Sequence, residues 1–253
     1  MILTATPRHA TAGFTLIELA VSMFIIALLL GAVLVPLATQ VEQRQVSETQ
    51  KTLDDAKEAL VGFALANGYL PCPDTTGDGI ADPAAPIAAC PNAEGFLPWV
   101  TLNVGQSDAW GNRLRYRISP EFSSAPSSPC TLLDGRLGLC KSGNITVNNR
   151  NTAKATQALA SNVVAVILSH GKNGYGATGT DGTIRPTPPA TNVDETTNAD
   201  PPGTTFLSRT SSSGSVACSD TAAGQPYCEF DDIVAWISSY VLFNRMVAAG
   251  KLP

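Results

Sequence analysis

The feature that most constrains this chain is an apolar run near its N-terminus. Between Leu19 and Ala38 no side chain is charged, Ser22 is the only polar one and Pro36 is the only proline. Twenty helical residues rise about 30 Å, which matches the hydrocarbon thickness of a bilayer. The run therefore predicts a helix that spans a membrane.

Two ordinary explanations of such a run do not fit its details. A secretory signal has a shorter apolar region, of about 7–15 residues, before a small-x-small cleavage site. Here the candidate site, residues 36–38, has proline where a small residue is needed. A plain membrane anchor has no use for Glu18, because a carboxylate in apolar surroundings costs about 2.5–3.5 kcal/mol. Glu18 is therefore interpreted as a functional residue.

The stretch from Gly13 to Glu18 reads GFTLIE and leads into the apolar run. It resembles the processing segment of type IV pilins and type II secretion pseudopilins. The resemblance implies that prepilin peptidase cuts between Gly13 and Phe14 and that the new amine is methylated. It also implies that Glu18 pairs with the Phe14 amine of a neighbouring subunit during assembly. The expected partners are other pilin or pseudopilin subunits, prepilin peptidase and an inner-membrane assembly platform.

The same resemblance implies an α+β fold, in which a long N-terminal helix packs on a globular head with an antiparallel β-sheet. The helix is half transmembrane and half amphipathic. The expected divisions are a leader at 1–13, a transmembrane and assembly helix at 14–38, an amphipathic continuation at 39–68 and a head at 69–253. The size of the head, with a long loop at about 171–215, resembles a minor or specialised subunit.

Helical spacing continues after the apolar run. A stripe at steps of three and four predicts one buried helix face; its members are Val46, Thr49, Leu53, Ala56, Leu60 and Phe63. Asn67-Gly68 is a typical helix end. One continuous helix and two helices broken at Pro36 both remain open, because proline removes one backbone hydrogen bond.

Charge and cysteine content indicate an exported head. The net charge of −5 becomes −6 when the leader is removed, since the leader carries Arg8 and no acid. This balance argues against nucleic-acid binding. Arg8 and His9 predict a cytoplasmic N-terminus, with the head in the periplasm of a single-pass inner-membrane protein. All six cysteines follow the apolar run, which favours disulfides, and short loop closures favour the pairs Cys72–Cys90, Cys130–Cys140 and Cys218–Cys228.

The head contains several expected elements. Leu114, Tyr116 and Ile118 alternate with three arginines and predict a half-buried strand whose arginine face is solvated. The run 163–169 predicts a buried central strand. A short strand is expected at 144–148 and a helical turn near 153–160. Residues 171–215 are expected to form an exposed loop, which is mobile unless the disulfide Cys218–Cys228 restrains it. A C-terminal helix is expected from 231 onward, with Asp231 as its N-cap.

Two acidic loops are candidate calcium sites. Asp74, Asp78 and Asp82 recur every four residues, with Gly79 at the sharp-turn place of a calcium loop, but Ala85 stands where a glutamate is expected. A polar turn explains the same residues equally well. Separately, SHGKNG at 169–174 and FDDI at 230–233 resemble the segments that enclose calcium in the major pseudopilin. That resemblance implies Asn173, Asp231 and Asp232 as ligands.

No enzyme motif is present. The sequence has no G-x-S-x-G, H-E-x-x-H or P-loop, and His170 is the only histidine beyond the leader. The expected function is a non-enzymatic structural subunit of a pilus or pseudopilus filament. Two alternatives remain: a membrane-anchored periplasmic binding or adhesive domain with no filament role, and a membrane-bound hydrolase that uses the acids at 74–82.

Overall fold

The structure of the chain is a computed structural model. It describes residues 13–84, 90–123, 141–199, 203–215 and 217–252, without the side chains of residues 32–37. The chain divides into two compact units, Met1–Arg44 and Gln45–Pro253.

The first helix, α1, runs over Leu16–Asn67. Of the two alternatives at Pro36, the structure therefore has the single helix. Large apolar side chains of its first part, from Leu16 to Leu30, are between 50% and 87% exposed. Within the described part of the chain, no helix is both long enough and apolar enough to cross a membrane.

In the unit Gln45–Pro253, the predicted stripe of α1 is the buried face of the helix. Thr49, Leu53, Ala56 and Leu60 are fully buried, whereas Val46 is 44% exposed and lies at the edge of the stripe. The helix ends at Asn67 as predicted. Gly68 then takes a left-handed φ of 80°, and its N–H donates to the carbonyl of Ala64 at 2.8 Å.

The rest of this unit is built on an antiparallel-rich sheet. In chain order the elements are β1 (Glu94–Phe96), α2 (Trp99–Leu102), β2 (Arg115–Ile118), a 3-10 turn (Pro120–Phe122), β3 (Ile145–Arg150), β4 (Thr156–Ser169), α3 (Val193–Ala199), β5 (Thr205–Leu207), β6 (Ser212–Ser213), β7 (Glu229–Phe230), β8 (Ile233–Ser238) and α4 (Ser239–Ala248). The strand order is β1-β2-β4-β3-β5, with β8 also paired to β4. Only the β3–β5 pair of this sheet is parallel, and β6 pairs with β7 separately.

The central strand β4 is apolar on both faces because both faces are covered. Its side chains Val164 and Ile167 pack with α1 and α4 in the main core. Val166 and Leu168 pack in a second cluster with Phe206 of β5. The predicted buried strand at 163–169 is thus confirmed, and tertiary pairing extends it back to Thr156. The prediction of a helical turn near 153–160 is wrong, because its residues from Thr156 onward belong to strand β4, which pairs with β3.

The predicted C-terminal helix is half wrong. Residues 233–238 form strand β8, which pairs with β4 from Ile233 opposite Ser169 to Ser238 opposite Val163. The apolar spacing of these residues indicated a helix. They form a strand instead, because an edge of β4 is available for pairing. Asp231 is therefore not the N-cap. Ser238 caps α4 instead, and its Oγ accepts from the N–H of Val241.

The segment 171–215 is not an exposed loop. It contributes α3, β5 and β6, and Asp194, Glu195 and Asn198 of α3 are fully buried. The arginine face of β2 is also not solvated. Arg117 is 6% exposed, and Arg115 donates to the carbonyl of Asn198 at 2.7 Å. Packing of α3 over this face explains both differences.

A buried ionic network attaches the segment 171–215 to the β3–β4 hairpin. The two oxygens of Asp194 accept from Nε of Arg150 at 2.6 Å and Nε of Arg209 at 2.8 Å. Arg209 also pairs with Asp220 at 3.2 Å. Disulfides join Cys72 to Cys90 and Cys218 to Cys228, as predicted. The predicted pair Cys130–Cys140 lies outside the described residues.

We expect Asp194→Ala to lower the free energy of unfolding by about 3–5 kcal/mol, because it leaves the buried guanidinium of Arg150 without its counter-charge. Arg209 loses one of its two carboxylates and keeps Asp220. Urea unfolding of the oxidised fragment 45–253 measures this. The control is Glu58→Ala, whose exposed pair with Arg245 should contribute only about 0–1 kcal/mol. Equal losses of unfolding free energy in the two variants would contradict a stabilising role for the buried network.

Candidate functional site

The start of α1 is a capping box that the sequence analysis did not identify. The side chain of Glu18 accepts from the N–H and the hydroxyl of Thr15, at 2.9 and 2.7 Å. In return, the N–H of Glu18 donates to the Thr15 hydroxyl at 3.3 Å. The T-x-x-E spacing is the sequence signal for this exchange. Glu18 therefore has a local role as well as any role between subunits.

The predicted cleavage residues lie directly before this cap. Gly13 is exposed and precedes the helix, and Phe14 is 84% exposed. The bond between them is consequently exposed and lies before the helix, where a peptidase can reach it. Residues 1–12 of the leader lie outside the described part of the chain.

The first candidate calcium loop directs its carboxylates at backbone N–H groups. Asp74 is fully buried and accepts from the N–H groups of Gly77 at 2.6 Å and Gly79 at 2.7 Å. Asp82 accepts from Thr75 and Thr76, and the Thr75 backbone bond is the main cause that lowers the pKa of Asp82. Asp78 is exposed and accepts from its own turn. Asp74 and Asp82 share the N–H of Thr76, at 3.0 and 3.1 Å, but among the described residues the three carboxylates do not form a metal-ligand cluster. Hydrogen bonds from a turn's own backbone are the arrangement expected of a polar turn.

The second candidate does form a cluster. Carboxylate oxygens of Glu195, Asp231 and Asp232 lie within 4.8 Å of one another. Asn173 lies beside them, because its N–H donates to Asp231 at 2.8 Å and its amide to Glu195 at 2.9 Å. The structure therefore brings Asn173, Asp231 and Asp232 together as predicted, and adds Glu195 from α3.

Close backbone packing holds the two sides of the cluster together. Gly171 has φ of 60°, and a Cβ on it would lie 2.4 Å from the carbonyl oxygen of Asp231. Only glycine allows this approach. Asn192 holds Glu195 by a 2.8 Å bond from its amide, and Asn198 holds Asp232 by one of 2.7 Å.

Burial makes the cluster electrostatically unfavourable without a counter-charge. Burial raises the pKa of Glu195 to about 8, and the neighbouring Asp232 carboxylate adds to the shift. Burial likewise raises the pKa of Asp231 to about 6, against a hydrogen bond from the Asn173 backbone that opposes the shift. Like charges this close cannot all ionise without a proton or a cation between them.

The donor set fits a hard divalent cation. One oxygen of Asp231 and one of Asp232 are buried without a hydrogen-bond partner in the part of the chain that the structure describes. His170 is 1% exposed, and its Nδ1 lies 3.6 Å from the unpartnered Asp232 oxygen. Calcium prefers carboxylate and amide oxygens, and these are the atoms that the cluster presents.

Glu195 is the functional candidate that sequence reasoning missed. The local signal is Asn192 followed three residues later by Glu195, a spacing typical of a helix start. That signal predicts the short helix α3. It does not predict that α3 packs beside Asp231, because this contact joins residues 36 positions apart.

Comparison with known proteins identifies the N-terminal segment. Residues 8–34 match the family described as the prokaryotic N-terminal methylation motif, which is the signature of type IV pilins and pseudopilins. The match includes Gly13, Phe14 and Glu18 and covers none of the head. No curated protein and no solved structure matched the chain.

Proposed function

We propose that this chain is the precursor of a filament subunit of the type IV pilin and pseudopilin kind, with no enzymatic activity of its own. The observation that carries the proposal is the methylation-motif match at residues 8–34. In this proposal prepilin peptidase cuts after Gly13, and the mature chain assembles with other subunits on an inner-membrane platform.

The exposed side chains of α1 support insertion in the inner membrane through residues 14–38. Large apolar side chains from Phe14 to Leu30 are at least half exposed, and such a surface requires lipid or other helices around it. The two disulfides support export, because they persist in oxidising compartments. The head is then periplasmic before assembly.

Assembly gives Glu18 a second partner. Cleavage leaves a positive amine on Phe14, and in a filament the amine of one subunit reaches the Glu18 carboxylate of the next. An unpaired charge among packed apolar helices is costly, so the pair favours one axial offset between subunits. The capping box and the ion pair make different demands on Glu18, because a cap needs only a hydrogen-bond acceptor.

Glu18→Gln separates these two roles, since glutamine at this position still completes a capping box. We expect Glu18→Gln to be inserted and cleaved normally, and its ratio of sheared-filament to membrane protein to fall sharply. Glu48→Gln, further along α1, is the matched control and should assemble normally. Normal assembly of Glu18→Gln would contradict the ion pair, whereas absence of the parent chain itself from sheared filaments would favour a permanently anchored domain.

Calcium binding at Asn173, Glu195, Asp231 and Asp232 is a further part of the proposal. Two buried carboxylate oxygens without partners support it, as do the raised pKa values of Glu195 and Asp231. A cation there neutralises the cluster and ties α3 to the start of β8. When bound, calcium supplies structural cross-linking and no reaction step.

Calcium should change how the melting temperature depends on pH. In chelator, the folded state keeps protons on Glu195 to about pH 8 and on Asp231 to about pH 6, whereas the unfolded chain releases them near its ordinary values of about 4. Stability should therefore fall as the pH rises from about 5 to 8.

At the upper pH, calcium at a hundredfold excess over its dissociation constant should raise the free energy of unfolding by about 2.7 kcal/mol. The loss of stability between pH 5 and 8 should therefore be smaller in calcium than in chelator. The measurement is the melting temperature of fragment 45–253, in calcium and in chelator, across this pH range. Glu195→Gln should lose most of the calcium effect, and Asp78→Ala in the first acidic loop should keep it. Equal melting temperatures with and without calcium at every pH would contradict the metal.

A further inference from the structure

A cavity of about 390 Å³ lies on the arginine side of the sheet, under the segment 171–215. Its apolar wall includes Phe96 from β1 together with Ala177 and Ile184 from the overlying segment. Ile184 is 81% exposed at the mouth. The volume is in the range of small-molecule sites, which are mostly apolar with a few placed polar groups.

Arg113 is a charged group of this cavity that has no carboxylate beside it among the described residues. Its terminal nitrogens donate to two backbone carbonyls, Gly77 at 3.0 Å and Thr180 at 3.4 Å. Its Nε is buried, and none of the described residues accepts a hydrogen bond from it. The guanidinium also lies over the rings of Phe96 and Trp99, at 5.2 and 5.4 Å. No carboxylate among the described residues pairs with it, so its charge is retained beside apolar walls.

The other arginines add to the positive charge. Arg115 and Arg117 share the single carboxylate of Glu94, which leaves one positive charge in excess. Arg185 lines the cavity and donates from Nε to the amide oxygen of Asn112 at 3.2 Å. Local hydrogen bonds, and to a lesser extent the charge of Arg185, lower the pKa of the Asp181 carboxylate. Asp181 is fully exposed, so water screens the attraction between the two charges.

His170 is a second polar group of the cavity without a hydrogen bond. It lines the cavity and is 1% exposed; its Nδ1 lies 3.6 Å from the Asp232 carboxylate, and its Nε2 has no hydrogen-bond partner among the described residues. Buried polar groups are normally paired. A cavity lined by a guanidinium nitrogen and an imidazole Nε2 that both lack a hydrogen-bond partner among the described residues therefore fits a polar occupant.

We propose that this cavity binds a small carboxylate that carries an apolar body. The planar guanidinium groups of Arg113 and Arg185 match a carboxylate, which accepts parallel hydrogen bonds from such groups. Phe96, Ala177 and Ile184 provide the surface for the apolar body. The site lies wholly in the head and goes beyond the proposed filament role, which neither requires nor excludes it.

The test uses benzoate as the probe and the full chain in a non-ionic detergent, with binding measured by calorimetry. Benzamide has the same shape without the charge, and acetate has the charge without the ring. We expect benzoate to bind at least about tenfold more tightly than benzamide, because hydrogen bonds to charged groups exceed neutral ones by that order. We also expect it to bind more tightly than acetate, because the ring buries apolar surface against the cavity wall.

Arg113→Gln and Arg185→Gln should each weaken benzoate binding about tenfold or more. Arg185 lies in an outer loop, so its variant decides the question if Arg113→Gln fails to fold. Arg245→Gln, whose exposed pair with Glu58 is remote from the cavity lining, is the matched control and should bind as the parent does. Ile184→Asp, which places a negative charge at the exposed mouth, should abolish binding.

Equal binding of benzoate and benzamide would overturn the proposal, because the arginines would then contribute nothing. So would undetectable benzoate binding by the folded parent chain. Unchanged benzoate binding by a folded Arg185→Gln and a folded Ile184→Asp would place the ligand elsewhere.

Discussion

The head depends on covering both faces of strand β4. Val164 and Ile167 need α1 and α4 on one side, and Val166 and Leu168 need Phe206 on the other. Each buried aliphatic side chain contributes about 1.5–3 kcal/mol by leaving water. This requirement explains why the segment 171–215, despite its many glycines, prolines and threonines, is packed on the sheet.

Covering the second face has an electrostatic consequence. It places Glu195 of α3 against Asp231 and Asp232. It also covers Arg113 and Arg115 with the segment 171–215, which forms the other wall of the cavity. The head thus buries a group of acids and, separately, a group of arginines that its own carboxylates do not fully neutralise. The proposed cation and the proposed carboxylate are the counter-charges that the two groups lack. Both proposals follow from the packing of the segment 171–215 on the second face of the sheet.

Local patterns predicted α1 and β4 because their apolar side chains recur at fixed spacing and stay buried. They failed for β8, since Ile233 to Ser238 has spacing that suits a helix or an edge strand, and the free edge of β4 decides between them. Asn173, Asp231 and Asp232 were found through resemblance to a known loop. Glu195 was not, because its place in the cluster depends on a contact with Asp231, 36 positions further along the chain.

The central claim is that this chain is processed as a pilin-type precursor, and the N-terminus of the mature protein tests it most directly. The full chain is produced with a prepilin peptidase, extracted from membranes and analysed by N-terminal sequencing and mass spectrometry. The account predicts a chain that begins at Phe14 with a methylated amine. A chain that still begins at Met1, or one that begins near Thr39 as after signal-peptide cleavage, would contradict it.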